Sequence, residues 1–382
     1  MAGRTCRNPD DDCEHRPRRR YRDAVPPDPD APFLRACRRE PAAHVPVWFM
    51  RQAGRSLPEY RAVRGEGSIL DAIRKPDVAT EITLQPVRRH GVDAAVLYSD
   101  IVVPVAAIGF GVDVAPGTGP VVAQPFRSAA DLDRLRPLEP EVDTPYVLET
   151  VRNLATELGD TPLIGFAGAP FTVASYLIEG RPSRTYALTK ALMFGDPELW
   201  AKLVDRLADL AIASLRSQVE AGASAVQLFD SWAGALAPAD YERFVLPAST
   251  KVLSAVADLG VPRIHFGVGT SELLHLFKAA GADVVGIDWH THLDDARARL
   301  GDDVALQGNL DPAVLLAPPD VVADRARDVL RRAGGHPAHV FNLGHGVLPE
   351  TDPGILTALV EQVHAEGRTD GTLAPSVAGL AG

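Results

Sequence analysis

Residues 225–266 read AVQLFDSWAGALAPADYERFVLPASTKVLSAVADLGVPRIHF. The run Ala225–Phe229 is short and apolar, as a parallel strand buried on both faces must be, and it breaks off at Asp230-Ser231-Trp232. Ala239–Leu259 then carries its apolar residues at helical period, and Arg263–Phe266 is a second strand-like run. Strand, amphipathic helix and strand make a β-α-β unit. The rhythm continues outward in both directions. Strands are expected at Val45–Met50, Ala94–Tyr98, Leu163–Phe166, Val284–Ile287, Val304–Gln307 and His339–Asn342. Helical stretches lie between them, among them Val78–His90, Pro197–Ala221, Val321–Arg332 and Gly354–Glu366. Alternation repeated about eight times predicts an α/β protein built as a single (β/α)8 TIM-type barrel, with a doubly wound open sheet as the alternative.

The barrel is expected to span residues 33–366. Residues 1–32 hold seven arginines and seven acidic residues with a Pro-Pro-Asp-Pro-Asp stretch, and read as a disordered, locally neutral N-terminal leader. Residues 367–382 read as a flexible C-terminal tail. The connection from Pro104 to Pro145 is long and rich in Gly and Pro, the usual mark of a functional loop or lid. A net charge of −11 favours neither nucleic acid nor an anionic membrane surface, so an anionic ligand needs a local positive cluster. The three cysteines, Cys6, Cys13 and Cys37, all precede the first strand, which excludes disulfide stapling of the core and suits a reducing cytoplasm. The longest nearly apolar run, Ile101–Val112, is too short to span a bilayer.

Barrel enzymes collect their chemistry where strands end. Here those ends read Arg51-Gln52-Ala53-Gly54-Arg55, Tyr98-Ser99-Asp100, Asp230-Ser231-Trp232, His265-Phe266-Gly267, Asp288-Trp289-His290, Gln307-Gly308-Asn309 and Asn342-Leu343-Gly344-His345-Gly346. The phosphate loop, the HExxH zinc helix and the nucleophile elbow are all missing. Arg51 and Arg55 on one short segment can clamp carboxylates bidentately, and Gly54 lets the backbone approach a ligand. Residue chemistry alone leaves alternatives open: a surface arginine pair, a capping role for Asp100, a turn role for His345.

Read together, the segments are more specific. Pro46-Val47-Trp48-Phe49-Met50-Arg51-Gln52-Ala53-Gly54-Arg55, continuing to Leu57-Pro58-Glu59-Tyr60, closely resembles the N-terminal signature of uroporphyrinogen decarboxylases. Gly165-Phe166-Ala167-Gly168-Ala169-Pro170-Phe171-Thr172, ending with Tyr176, resembles the second. Matching pieces recur in order from about residue 33 to residue 366. The resemblance implies decarboxylation of the four acetate side chains of uroporphyrinogen III to give coproporphyrinogen III, without metal or organic cofactor, by a homodimer. It implies Asp100 as the central carboxylate, with Arg51 and Arg55 gripping substrate carboxylates and sharing in catalysis. Substrate contacts are implied for Arg51, Gln52, Ala53, Gly54, Arg55, Asp100, Tyr176, Ser231 and His345, with Phe166 and Phe229 as apolar wall. Two rivals remain. Zinc- and corrinoid-dependent methyltransferases on the same barrel need a His-x-Cys…Cys site, whereas His265 is followed by Phe266-Gly267 and no cysteine follows Cys37. A non-catalytic tetrapyrrole-binding protein would not need Asp100 or the arginine pair, and all three are present.

Overall fold

The computed structural model describes residues 27–115 and 117–370, so the expected leader up to residue 26 and the tail beyond residue 370 lie outside the described residues. Nine strands occur among the described residues: β1 Ala95–Val96, β2 Val112–Ala115, β3 Gly119–Val122, β4 Leu163–Gly168, β5 Ala225–Phe229, β6 Arg263–Phe266, β7 Val284–Gly286, β8 Ala305–Leu310 and β9 His339–Leu343. Seven form one curled parallel sheet in the order β1-β4-β5-β6-β7-β8-β9.

The expected first strand, Val45–Met50, closes the ring without being a regular strand. Val47 makes a single parallel bridge to Phe341; Phe341 N–H donates to Pro46 O at 2.8 Å and Trp48 N–H to Phe341 O at 3.3 Å. On its other edge Val47 O accepts from Asp93 N–H at 2.8 Å, just before β1. The ladder goes no further because side chains take the remaining donors. Val47 N–H goes to Asp93, Phe49 N–H to Gln52 and Met50 N–H to Asn342, and Pro46 has none. The barrel is thus eight segments round, seven of them regular.

Its interior is apolar at the base, where Ala94, Ala225, Val284, Ala305 and Ala338 meet the helix Pro32–Cys37 through Phe33 and Cys37. Across the middle runs a buried polar chain: Trp48 Nε1–H donates to Gln307 Oε1, and Gln307 Nε2–H to Gln227 Oε1, each at 3.0 Å. The outer layer is helical. Pro197–Ala221 starts on an Asp196 cap and buries Leu199, Leu203, Leu207, Ala211 and Leu215 at four-residue spacing. The expected helix 239–259 is instead Pro238–Phe244 and Leu246–Ser254, followed by a short 3-10 turn. Pro247 cannot donate within a continuous helix, and the chain bends before it. Among the described residues no helix is long and apolar enough to cross a membrane.

The long connection after Pro104 holds the antiparallel hairpin β2–β3, which the sequence reading did not foresee. It packs down rather than standing free: Val122 N–H donates to Gly180 O, Phe126 N–H to Leu177 O, and Phe110 and Phe126 are fully buried. At the other end, Thr369 is buried and exchanges two hydrogen bonds with the Ala42 backbone. Deleting residues 1–26, which precede the packed helix at Pro32, is expected to leave turnover within a factor of about three. An inactive or unfolded truncation would contradict that boundary.

Two buried histidines make folding sensitive to acid. His339 donates through Nε2 to Gly308 O at 3.0 Å, and its Nδ1 has no partner among the described residues. His90 Nδ1 meets Thr357 Oγ1 at 2.8 Å, and its Nε2 is likewise bare. Protonation would bury an unmatched N–H, and burial pushes both imidazoles down to about 4. The unfolded chain therefore binds more protons between pH 4 and pH 6.5, so their contribution is complete above that window and is lost as pH falls through it. Urea unfolding at pH 5 should give a stability at least about 2 kcal/mol below that at pH 7.5. A flat profile would contradict the assignment.

Candidate active site

Arg51 leaves the closing segment with a left-handed backbone (φ 60°), a conformation costing a non-glycine residue about 1–2 kcal/mol. Gln52 holds it there. This side chain is fully buried, accepts from Phe49 N–H at 3.0 Å and donates to Ala94 O at 3.1 Å. Gln52 thus pins the segment to the start of β1, a positioning part distinct from the substrate contact expected of it. Two glycines make room. A Cβ on Gly54 would lie 2.8 Å from Arg51 O, and one on Gly346 would lie 2.5 Å from Arg51 Cδ. The Arg51 stem therefore lies across the backbone beside His345, and the glycine after His345 is required by an arginine from the far end of the chain.

Asp100 follows β1 on a turn where Val102 N–H donates to its Oδ1 at 3.0 Å. Burial pushes its carboxyl above the usual range, and the Val102 N–H and the Arg51 guanidinium pull it back. Tyr176, on helix Pro170–Glu179, is pushed up by burial and further by the Asp100 charge, with Arg51 opposing. His345 is pushed down to about 4 by burial and by Arg51. It is therefore neutral at pH 7; its Nδ1 accepts from Gly346 N–H, which leaves the proton on Nε2 as a donor. Arg51, Asp100, Tyr176 and His345 thus form one electrostatic group. Arg51 and Arg55 are both exposed and neither has an ion-pair partner among the described residues; Arg55 differs in that its charge is not among those acting on Asp100, Tyr176 and His345, and its carbonyl accepts from Arg61. Ala53 is half-buried against the cluster that includes Leu57, Tyr60 and Tyr98.

The wall is aromatic. Phe166 and Phe229 meet edge to face at 5.3 Å, Phe229 meets Phe266 at 6.1 Å, and Phe266 meets His345 at 6.4 Å. Tyr176 lies 3.8 Å from Trp232, which also contacts Tyr186 at 5.1 Å. Trp232 and Tyr186 were not anticipated as wall. Trp232 directly follows Ser231, a signal that could have been used; Tyr186 carries none. Ser231 is half-buried on a loop fixed by its neighbour Asp230, which is fully buried rather than part of the rim. Thr172 Oγ1–H donates to Asp230 Oδ1 at 2.9 Å and accepts from Trp232 N–H.

Behind Asp100 the wall is thin. β1 ends at Val96, so the free backbone edge of Phe166 is satisfied by the Gln218 side chain, which accepts from its N–H at 2.8 Å and donates to its O at 3.0 Å. A cavity of about 10 Å³, room for about one water, lies there between Ser99, Asp100, Phe166, Ser214, Ser217 and Gln218. Gln218 on the core face of a long helix is a polar signal that sequence reading passed over.

The rim thus gathers a carboxylate, a guanidinium, a phenol and a neutral imidazole beside aromatic rings. The family described as Uroporphyrinogen decarboxylase (URO-D) matches residues 28–366. The chain belongs to the uroporphyrinogen decarboxylase family. Its relatives include the uroporphyrinogen decarboxylases of Streptomyces coelicolor, 65% identical over 88% of this chain and 95% of that protein, and of Salinispora tropica, 63% identical over 89% and 91%. That of Nocardioides sp. is 56% identical over 90% and 99%. Among solved structures, a methyltransferase from Methanosarcina mazei superposes with a TM-score of 0.69 at 20% identity, covering 87% of this chain and 97% of that one. At that identity the likeness is one of fold. His265, weighed in the sequence as a metal-ligand candidate, is fully buried, stacks on Phe277 at 3.9 Å and lies 3.8 Å from Asp230. It belongs to the core of this uroporphyrinogen decarboxylase family member.

Proposed function

We propose that this chain is a carboxy-lyase that converts the four acetates of uroporphyrinogen III to methyl groups, giving coproporphyrinogen III. What carries the reading is that Arg51 acts on Asp100, Tyr176 and His345 together, beside the aromatic row Phe166, Phe229 and Phe266, in a chain of this family. Protonation of a pyrrole α-carbon makes the ring an electron sink. The acetate C–C bond then breaks, CO2 leaves, and its electron pair enters the ring. A proton adds to the freed methylene carbon and the ring proton is returned, so each acetate consumes one proton net. The intermediate is cationic, and Asp100 in a cleft of low dielectric stabilises it while accepting from pyrrole N–H groups. Arg51 holds a substrate carboxylate, Arg55 reaches a second from the exposed edge, and His345 Nε2–H and the Tyr176 hydroxyl serve as neutral donors. Ser231 presents its hydroxyl from the pinned loop, with Gly54 allowing close approach. Phe166 and Phe229 cover the ring faces. The cavity beside Asp100 has room for a water on the carboxylate.

Anaerobic assay with freshly reduced uroporphyrinogen III tests the reading: product masses should fall in up to four successive steps of one CO2. Binding without mass loss would favour a non-catalytic carrier.

We also infer a homodimer acting in the cytoplasm. The helix Ala187–Gly195, which directly follows cleft residue Tyr186, exposes Leu188 and Phe194 at 49% and 50%, a hydrophobic pair suited to burial against a second copy. The free, buried Cys37 suits a reducing compartment. Light scattering should give about twice the 40.8 kDa of one chain, and Phe194→Glu should shift the mass toward one chain. A monomeric wild type would refute the dimer.

A further inference from the structure

At the end of the barrel opposite Asp100, three segments distant in sequence meet. His44 precedes the closing segment, Asp93 precedes β1, and His364 lies near the end of the helix Pro353–Glu366. His44 Nε2 is 2.7 Å from Asp93 Oδ1, and His364 Nε2 is 2.8 Å from Asp93 Oδ2. The two imidazoles stand 4.1 Å apart, and one nitrogen from each, with a carboxylate oxygen, fall within 4.8 Å of one another. Val47 N–H donates to Asp93 Oδ2 at 2.7 Å and fixes the carboxylate, the kind of outer support that metal-ligating carboxylates have. The side chains keep 25%, 9% and 28% exposure for His44, Asp93 and His364, so a hydrated ion can reach them.

We propose that His44, Asp93 and His364 form a site for one zinc-class divalent cation at the base of the barrel, separate from the decarboxylation site. Two imidazoles select a borderline cation over magnesium or calcium, and a single carboxylate completes three protein ligands with a position left for water. An imidazole offers its Nε2 lone pair to the ion when its proton sits on Nδ1. At metal–ligand distances of about 2.1 Å, tetrahedral binding needs the ligand atoms about 3.4 Å apart; the three now lie within 4.8 Å of one another, with the two imidazoles on different oxygens of Asp93, so side-chain rotations bring them onto one ion. The bound ion ties the closing segment, the start of β1 and the last helix together. The closing segment has only one bridge to β9, so this is where a cross-link adds most.

The test uses the full, tag-free chain stripped with chelator and titrated with zinc sulfate alone, with magnesium as the control. One zinc should bind per chain, and melting should rise by about 3 °C or more at saturating zinc. His44→Gln/His364→Gln, which keeps side-chain donors for Asp93, should weaken zinc binding at least about tenfold and leave turnover unchanged. His364→Gln alone carries the same test should the double variant not fold. Cys6, Cys13 and His15 are other zinc-binding side chains of this sequence, so a chain with all three replaced must still bind. No zinc in the wild type, equal binding by the glutamine variants, or loss of binding on replacing Cys6, Cys13 and His15 would each overturn the site.

Discussion

Asp100→Asn is expected to lower kcat by about two to three orders of magnitude, the scale seen when one preorganised electrostatic group is removed. Asparagine keeps an oxygen for the Val102 N–H, so the turn should survive the change. What it removes is the negative charge, which matters most when the ring is cationic. Coproporphyrinogen binding should fall much less, because neutral pyrrole N–H groups can still donate to the amide oxygen. Steady-state kinetics and product binding on the same folded variant separate charge from positioning. Equal losses in both would point to positioning, and an unchanged kcat would remove Asp100 from the mechanism.

Arg51→Lys should lower kcat/KM by roughly tenfold or more although the charge is kept. Lysine accepts the same left-handed backbone cost and the same path across Gly346, so only the head group differs. Losing the planar fork removes bidentate grip and moves the charge that acts on Asp100, Tyr176 and His345. Gly346→Ala, whose Cβ would meet the Arg51 stem, should cost a similar factor by displacing an unchanged guanidinium. Arg55→Lys should cost less, because Arg55 lies outside that group. Near-normal turnover of Arg51→Lys would show that a point charge suffices.

Much of this was legible in the sequence because buried parallel strands are short, apolar and regularly spaced. Seven of eight expected strands occur as strands at or near their expected places. The eighth, Val45–Met50, has the right composition and position, but its donors are claimed by Asp93, Gln52 and Asn342, contacts that span up to 292 residues. The hairpin β2–β3 was hidden by the Gly and Pro residues that made its surroundings read as a loop. Strand-end residues could be enumerated but not sorted: Asp230 and Gln52 turned inward and Ser231 outward, a difference set by their tertiary partners. The same holds for Trp232 against Tyr176, and for His44, Asp93 and His364, whose relation appears only when the barrel closes.

In the proposed mechanism the substrate ring supplies the electron sink and the protein only charge and position. Its most direct test is turnover of the chelator-treated, extensively dialysed chain under anaerobic conditions, counting CO2 released per uroporphyrinogen III consumed to completion. Four CO2 per substrate and full activity without added metal or organic cofactor are expected, whether or not the base of the barrel carries zinc. Activity that disappears on dialysis and returns only with an added cofactor would contradict it.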